Sequence, residues 1–159
     1  MNIEALGEDF ARFLLEAKRR TYAARGDDAS VPPLLPRSSQ LEYAEGPLVY
    51  RDIYFGMDYF VGQETVYRSA EPVWSLSYAG GLGEGVTPTE RSRIYAFLRE
   101  ALRQVSPEHP FRGPPALRSG PYTYAHTSLG DLAACSGHEA IARDGLTVYE
   151  LRYAGGALR

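Results

Sequence analysis

Cysteine, histidine, long apolar runs and surplus basic charge are all scarce in this chain, and each scarcity closes off a class of protein. One cysteine, Cys135, cannot form an intrachain disulfide, which points to a reducing, cytoplasmic setting. No apolar run approaches the roughly 18 residues of a membrane span, so no membrane partner is expected. The opening residues carry acids where a secretory signal would carry bases. Net charge is −3, and the basic cluster Lys18, Arg19 and Arg20 falls late in a helical pattern, where cations complement the helix dipole. Nucleic acid is therefore not an expected partner, because its binding draws most of its affinity from neutralised phosphates. The histidines are His109, His126 and His138. The spacing of His126, His138 and Glu139 matches no standard metal site, so neither a metal nor a cofactor is expected. The chain also lacks a Gly-x-Ser-x-Gly elbow and the Gly-Lys-Ser/Thr of a phosphate loop.

What is present suits one globular domain over residues 1–159: 44% of the residues are hydrophobic and 23% charged. Ile3, Leu6, Phe10, Phe13, Leu14, Ala17 and Thr21 recur at helical spacing, which predicts an amphipathic helix over 2–24. Tyr, Val, Ile and Phe, punctuated by Gly, predict strands near 40–45, 48–55, 57–67 and 72–79. Thr87-Pro88-Thr89-Glu90 reads as a capping box with proline at the first helical position. The apolar face of Ile94, Phe97, Leu98, Ala101, Leu102 and Val105 continues that helix to Ser106-Pro107. Further strands are expected near 121–128, 132–142 and 146–154.

The two halves of the chain resemble each other. GQETVYRSAEPVWSLSYAGG from Gly62 aligns without a gap on GHEAIARDGLTVYELRYAGG from Gly137. Gly62/Gly137, Glu64/Glu139, Arg68/Arg143, Val73/Val148, Leu76/Leu151 and Tyr78/Tyr153 are identical pairs, and Trp74 lies opposite Tyr149. The helices match as well, Phe13-Leu14-x-Glu16-Ala17-x-Arg19 against Phe97-Leu98-x-Glu100-Ala101-x-Arg103. An internal repeat, 1–85 and 86–159, accounts for this, with the second copy lacking a strand or hairpin matching 41–49. The expected fold is α+β: a curved antiparallel sheet of about seven strands, two helices on one face and a pseudo-two-fold axis. Trp74, Leu76, Tyr78, Tyr149 and Leu151 should face the core together with Phe13 and Phe97.

Chemistry is harder to place. The stretch from Ala79 to Gly85 resembles a phosphate cradle before a helix, but Tyr-Ala-Gly-Gly recurs at Tyr153, where no helix can follow. A turn needing positive φ is the expected role. Glu64 and Glu139 are read as turn residues after glycine, with a converging acid–base pair as the alternative. Cys135, aligned with Phe60, is expected to be a buried, inert thiol. In the strand at 48–55, Leu48, Tyr50, Asp52 and Tyr54 share one face. Tyr50, Asp52, Tyr54, Asp58, Glu64 and Trp74 form the candidate ligand-binding set. Aromatic faces with carboxylates suit a small flat or cationic organic ligand. The second half carries Ala125, His126, Thr127 and Ser128 in the matching stretch, so the site is expected in the first half.

Phe13-Leu-Leu-Glu-Ala-Lys, Tyr50-Arg-Asp-Ile-Tyr-Phe-Gly, Phe60-Val-Gly-Gln-Glu-Thr-Val-Tyr and Pro72-Val-Trp-Ser-Leu-Ser-Tyr-Ala-Gly-Gly resemble an uncharacterised bacterial family, domain of unknown function 5680. Val148-Tyr-Glu-Leu-Arg-Tyr-Ala-Gly-Gly fits it too. Members occur alone or behind an Xre-type helix-turn-helix, and this chain resembles the stand-alone form. The resemblance implies a sensing role and transfers no catalytic residue. The expected function is a non-catalytic small-molecule-binding or sensor-type module. The alternatives are a small hydrolase or isomerase using Glu64 and Glu139 with His126 or His138, and an interaction module pairing through a sheet edge. A homodimer stays open.

Overall fold

The computed structural model describes residues 6–29 and 31–159, and of residues 25, 27 and 29 the backbone alone. Ile3 and Glu4 of the expected first helix lie outside the described residues. Helix α1 (Glu8–Arg20) carries Glu8 and Asp9 in its first turn and Lys18, Arg19 and Arg20 in its last, as the dipole favours. It stops earlier than the periodicity suggests. Thr21 turns its hydroxyl back onto the Ala17 carbonyl at 2.8 Å and leaves the helical region. A single turn, α2 (Tyr22–Arg25), and a 3-10 turn (Gly26–Ala29) follow.

Strands β1 (Ser39–Glu45), β2 (Leu48–Gly56), β3 (Tyr59–Arg68) and β4 (Glu71–Leu82) lead into helix α3 (Pro88–Leu102). The capping box forms: Glu90 N donates to Thr87 Oγ1 at 3.3 Å, and Thr87 N donates to Glu90 Oε2 at 3.2 Å. The helix ends at Leu102 rather than at Pro107. Tight bonds from Gln104 N to Ala101 O and from Val105 N to Leu102 O replace the last turn and still bury Val105. Strands β5 (Ala116–Ser119), β6 (Tyr122–Gly130), β7 (Ala134–Arg143) and β8 (Leu146–Ala157) complete the chain.

All eight strands form one antiparallel sheet in the order β1-β2-β3-β4-β8-β7-β6-β5. The expected count of about seven is one too few, because β5 exists. Its sequence, Ala-Leu-Arg-Ser, has no β-branched or aromatic residue to announce it. The order reads the same from either edge, and at its middle Tyr78 of β4 faces Tyr153 of β8. Trp74 faces Ala157 and Leu82 faces Tyr149, at equal distances on either side of that pair.

The core lies between one sheet face and the helices. Trp74, Leu76, Tyr78, Tyr149, Leu151, Phe13 and Phe97 are all buried, as the alternation implies. The two Ala-Gly-Gly stretches are strand segments, not turns. They lie where β4 and β8 come closest: a Cβ on Gly80 would sit 2.2 Å from Glu150 O, and one on Gly155 2.3 Å from Ser75 O. The positive φ expected of this stretch belongs to Gly81 (154°) and Gly156 (155°), within extended backbone. No described helix is long and apolar enough to cross a membrane.

Candidate functional site

Two mid-strand glycines organise the buried polar groups. Gly62 of β3 lies between Tyr54 of β2 and Tyr78 of β4, and a Cβ there would sit 2.3 Å from the Tyr78 hydroxyl. Without that Cβ the phenol crosses β3 and donates to Asp52 Oδ1 on β2 at 2.7 Å. Gly137 of β7 does the same for Tyr153, whose hydroxyl meets His126 Nε2 on β6 at 2.9 Å. His126 Nδ1 faces the Gly113 carbonyl at 3.0 Å, so Nδ1 carries the proton and Nε2 accepts from the tyrosine. The repeated Gly-x-Glu is therefore a tyrosine slot within a strand, and the turn reading is corrected.

Each glutamate of that motif points inward to a cation. Glu64 meets Lys18, the chain's only lysine, at 2.5 Å and hydrogen-bonds Tyr50. Lys18 also donates to the Phe111 carbonyl at 2.9 Å. Glu139 accepts from Arg112 Nη2 at 2.5 Å, from Tyr124 at 2.6 Å and from Tyr149 at 2.8 Å. Burial works against the Glu139 charge, but the Arg112 guanidinium and these donors hold its carboxyl below the usual range. The two glutamates do not converge. Strands β4 and β8 lie between them, three strand spacings or ~14 Å. His126 pairs in register with Glu139 on the inner face, whereas its neighbour His138 turns outward to Glu150 at 3.1 Å. Among the described residues no group of three metal-ligating side chains is close enough to hold a metal ion.

Asp52 behaves differently. Burial, and then the charge of Glu64, raise its carboxyl to about 7, against the pull of Tyr78, Lys18 and Arg112. It forms part of the floor of a cavity of about 360 Å³ between the inner sheet face of the first half and α3. Tyr54, Phe60, Tyr78 and Tyr95 give that cavity its aromatic surface. Phe60 stacks on Tyr149 at 6.4 Å and meets Tyr78 edge-on at 6.0 Å, which fixes that wall. Arg91, Arg99 and Arg112 also line it. A recess of about 30 Å³ beneath, shared by Lys18, Glu64, Asp52 and Arg112, is large enough for a water.

The six residues singled out in the sequence separate accordingly. Asp52 and Tyr54 line the cavity together. Tyr50 and Glu64 line the recess below. Asp58 is at the rim, mostly exposed, accepting from Arg91 at 2.8 Å. Trp74 is buried in the core, where it packs on Phe10 and donates to the Leu132 carbonyl at 3.0 Å. Asp52 pairs with Glu64 and Tyr54 with Gly62, as His126 pairs with Glu139 and Ser128 with Gly137, so the counterpart of Asp52 in the second half is His126, that of Tyr54 is Ser128 and that of Tyr50 is Tyr124.

Sequence reasoning missed Lys18, Arg99 and Arg112. Lys18 had a signal: it follows Phe10 by eight residues and Leu14 by four, so it stands on the apolar stripe of α1. Arg112 had none, since it sits in a proline-rich loop without periodicity. That loop also makes the halves differ. Residues 111–113 turn inward, where Phe111 packs on Tyr153 at 6.0 Å and Gly113 holds His126. The segment before β1 turns to the other sheet face, where Leu34 N donates to Gln40 Oε1. The first half is left with open space above Asp52.

A family described as a domain of unknown function (DUF5680) matches residues 52–158, the greater part of the chain, and the chain belongs to that family. Comparison with curated proteins and with solved structures returns no match.

Proposed function

We propose that this DUF5680 protein is a non-catalytic, sensor-type module that binds a small flat organic molecule above Asp52. The cavity carries this reading. At about 360 Å³ it falls at the small end of ordinary ligand sites, about 300–1,000 Å³, and it joins aromatic walls to a few convergent polar groups. The contrast between the halves supports it. We read them as two copies of one unit whose shared Gly, Tyr and Glu positions build the scaffold. The copies differ at Asp52/His126 and Tyr54/Ser128, and in the first copy a cavity lies above these positions. Asp52 shares the cavity lining with Arg91, Arg99 and Arg112, which leaves the flat shape as the better-supported part of the ligand description.

Thermal shift against single-ring and two-ring compounds tests the reading, because a ligand bound only by the folded state raises its apparent stability. Saturable stabilisation that disappears in Tyr54→Ala, with the fold retained, is the expected result. No shift from any compound, or shifts indifferent to Tyr54→Ala, would remove the reading. A second reading, acid–base catalysis, rests on Asp52 with its carboxyl raised to about 7 beside Tyr78 in the cavity. Chemical turnover of a bound compound that stops in Asp52→Asn, while binding persists, would favour it.

A further inference from the structure

We infer that the ligand of this cavity is a small aromatic anion, its acid group held by Arg99 and Arg112 and its ring by the tyrosine and phenylalanine wall. This deepens the proposed function and rests on it. Three cations around the cavity already have acidic partners: Lys18 has Glu64, Arg112 has Glu139 and Arg91 has Asp58. The Arg99 side chain forms no hydrogen bond or ion pair among the described residues and lines the cavity half-buried. Arg112 is not saturated either. Its Nη2 is committed to Glu139, while its Nε is buried without a hydrogen-bond partner. A buried guanidinium N–H left unpaired is costly, and a charged acceptor satisfies it best. The single carboxyl in the cavity, Asp52, already accepts from Tyr78. An incoming anion therefore meets one uncommitted guanidinium, a second with donors to spare, and one carboxyl, Asp52, whose Oδ1 is already engaged by Tyr78. The cavity volume suits one ring with its acid group rather than a nucleotide or an extended chain.

The test uses the full chain and a matched set of probes: benzoate, salicylate and phenyl phosphate as anions, benzamidine and phenethylamine as cations, phenol as the neutral ring, and inorganic phosphate as the acid group alone. Affinities come from thermal shift and from calorimetry at moderate salt. The expected result is saturable binding of at least one aromatic anion, at least about tenfold tighter than phenol and than inorganic phosphate, the size of one charge-assisted hydrogen bond. Arg99→Gln should lose about tenfold for the anion and leave phenol unchanged. Arg112→Lys, which keeps a partner for Glu139, should weaken the anion while the protein stays folded. Tighter binding of benzamidine or phenethylamine, or equal binding of phenol, would overturn the anion assignment and leave the small-molecule reading standing. Anion binding untouched by Arg99→Gln and Arg112→Lys would also overturn it. Binding by none of the probes would take the small-molecule reading down with it.

Discussion

The two halves of the sheet hold the same buried carboxylate in two ways. In the second half Glu139 is enclosed by one guanidinium and two tyrosine hydroxyls, all from its own half. In the first half Glu64 depends on Lys18, a lysine delivered by a helix 46 residues away in sequence, and on Tyr50. The position of Tyr149, which gives Glu139 its second hydroxyl, is held in the first half by Trp74, whose N–H is turned away to Leu132. A saturated carboxylate stays ionised. The less saturated one lies beside Asp52, whose own proton it helps to retain. The closed second half and the open cavity of the first thus arise from one pattern, and they differ in how completely a buried charge is neutralised.

Removing each cation tests that contrast most severely. Lys18→Met and Arg112→Met each leave a buried carboxylate without its ion partner, on the order of 3–5 kcal/mol of stability in denaturant melts. Lys18→Met should be the costlier, since Glu139 keeps two hydroxyl donors after losing Arg112. The reverse order would mean that Tyr124 and Tyr149 contribute little. Next come the glycine slots. Gly62→Ala and Gly137→Ala push a methyl group into Tyr78 and Tyr153, at about 1–3 kcal/mol each. Unchanged stability in both would show that the phenols do not cross the strands there. By their partners the effects should diverge: Gly62→Ala should also disturb Asp52, and Gly137→Ala should disturb His126.

The pH dependence should differ between the halves in sign. The Asp52 carboxyl is raised in the folded state, so the stability linked to it is present below its ordinary value of 3.8 and is lost as pH rises through about 7. The charged and titratable groups around it are Glu64, Tyr78, Tyr50, Lys18 and Arg112. Glu139 is lowered, so its contribution is present above 4.5 and fades as pH falls below that value. Melting temperature should therefore decline less from pH 4.5 to 7.5 in Asp52→Asn than in the unaltered chain. Parallel curves would refute the assignment to Asp52. The smallest expected effect separates the helices. Thr87→Ala removes the hydroxyl that caps α3, about 1 kcal/mol, whereas α1 starts at Gly7 with no side-chain cap to lose. A loss near zero would show that the Pro88 start suffices without the capping hydroxyl.

Much of the fold was legible because it depends on local periodicity. Alternation along β2 separates Leu48, Tyr50, Asp52 and Tyr54 from Val49, Ile53 and Phe55, and burial follows that division. The capping box at Thr87 announced the start of α3 through residues that touch one another. The aligned segments located Gly62, Glu64 and Tyr78 with their counterparts, but not why glycine stands there, because the tyrosine that needs the space comes from the neighbouring strand. The candidate site was half legible. Asp52 and Tyr54 share a strand face and so arrive together, whereas Arg99, Arg112 and Lys18 come from α3, a loop and α1.

Side-chain alternation and caps are properties of neighbouring residues, so the chain alone determines its strands other than β5, its two long helices and the face each buries. The strand order that brings Tyr78 against Tyr153 is decided by long-range pairing. So are the inward turn of residues 111–113 and the crowding of Glu64 against Asp52, and no periodicity records them. Charge follows the same division: the sequence places the carboxyls, but only their burial and the distances to Lys18 and Arg112 decide which of them keeps its proton.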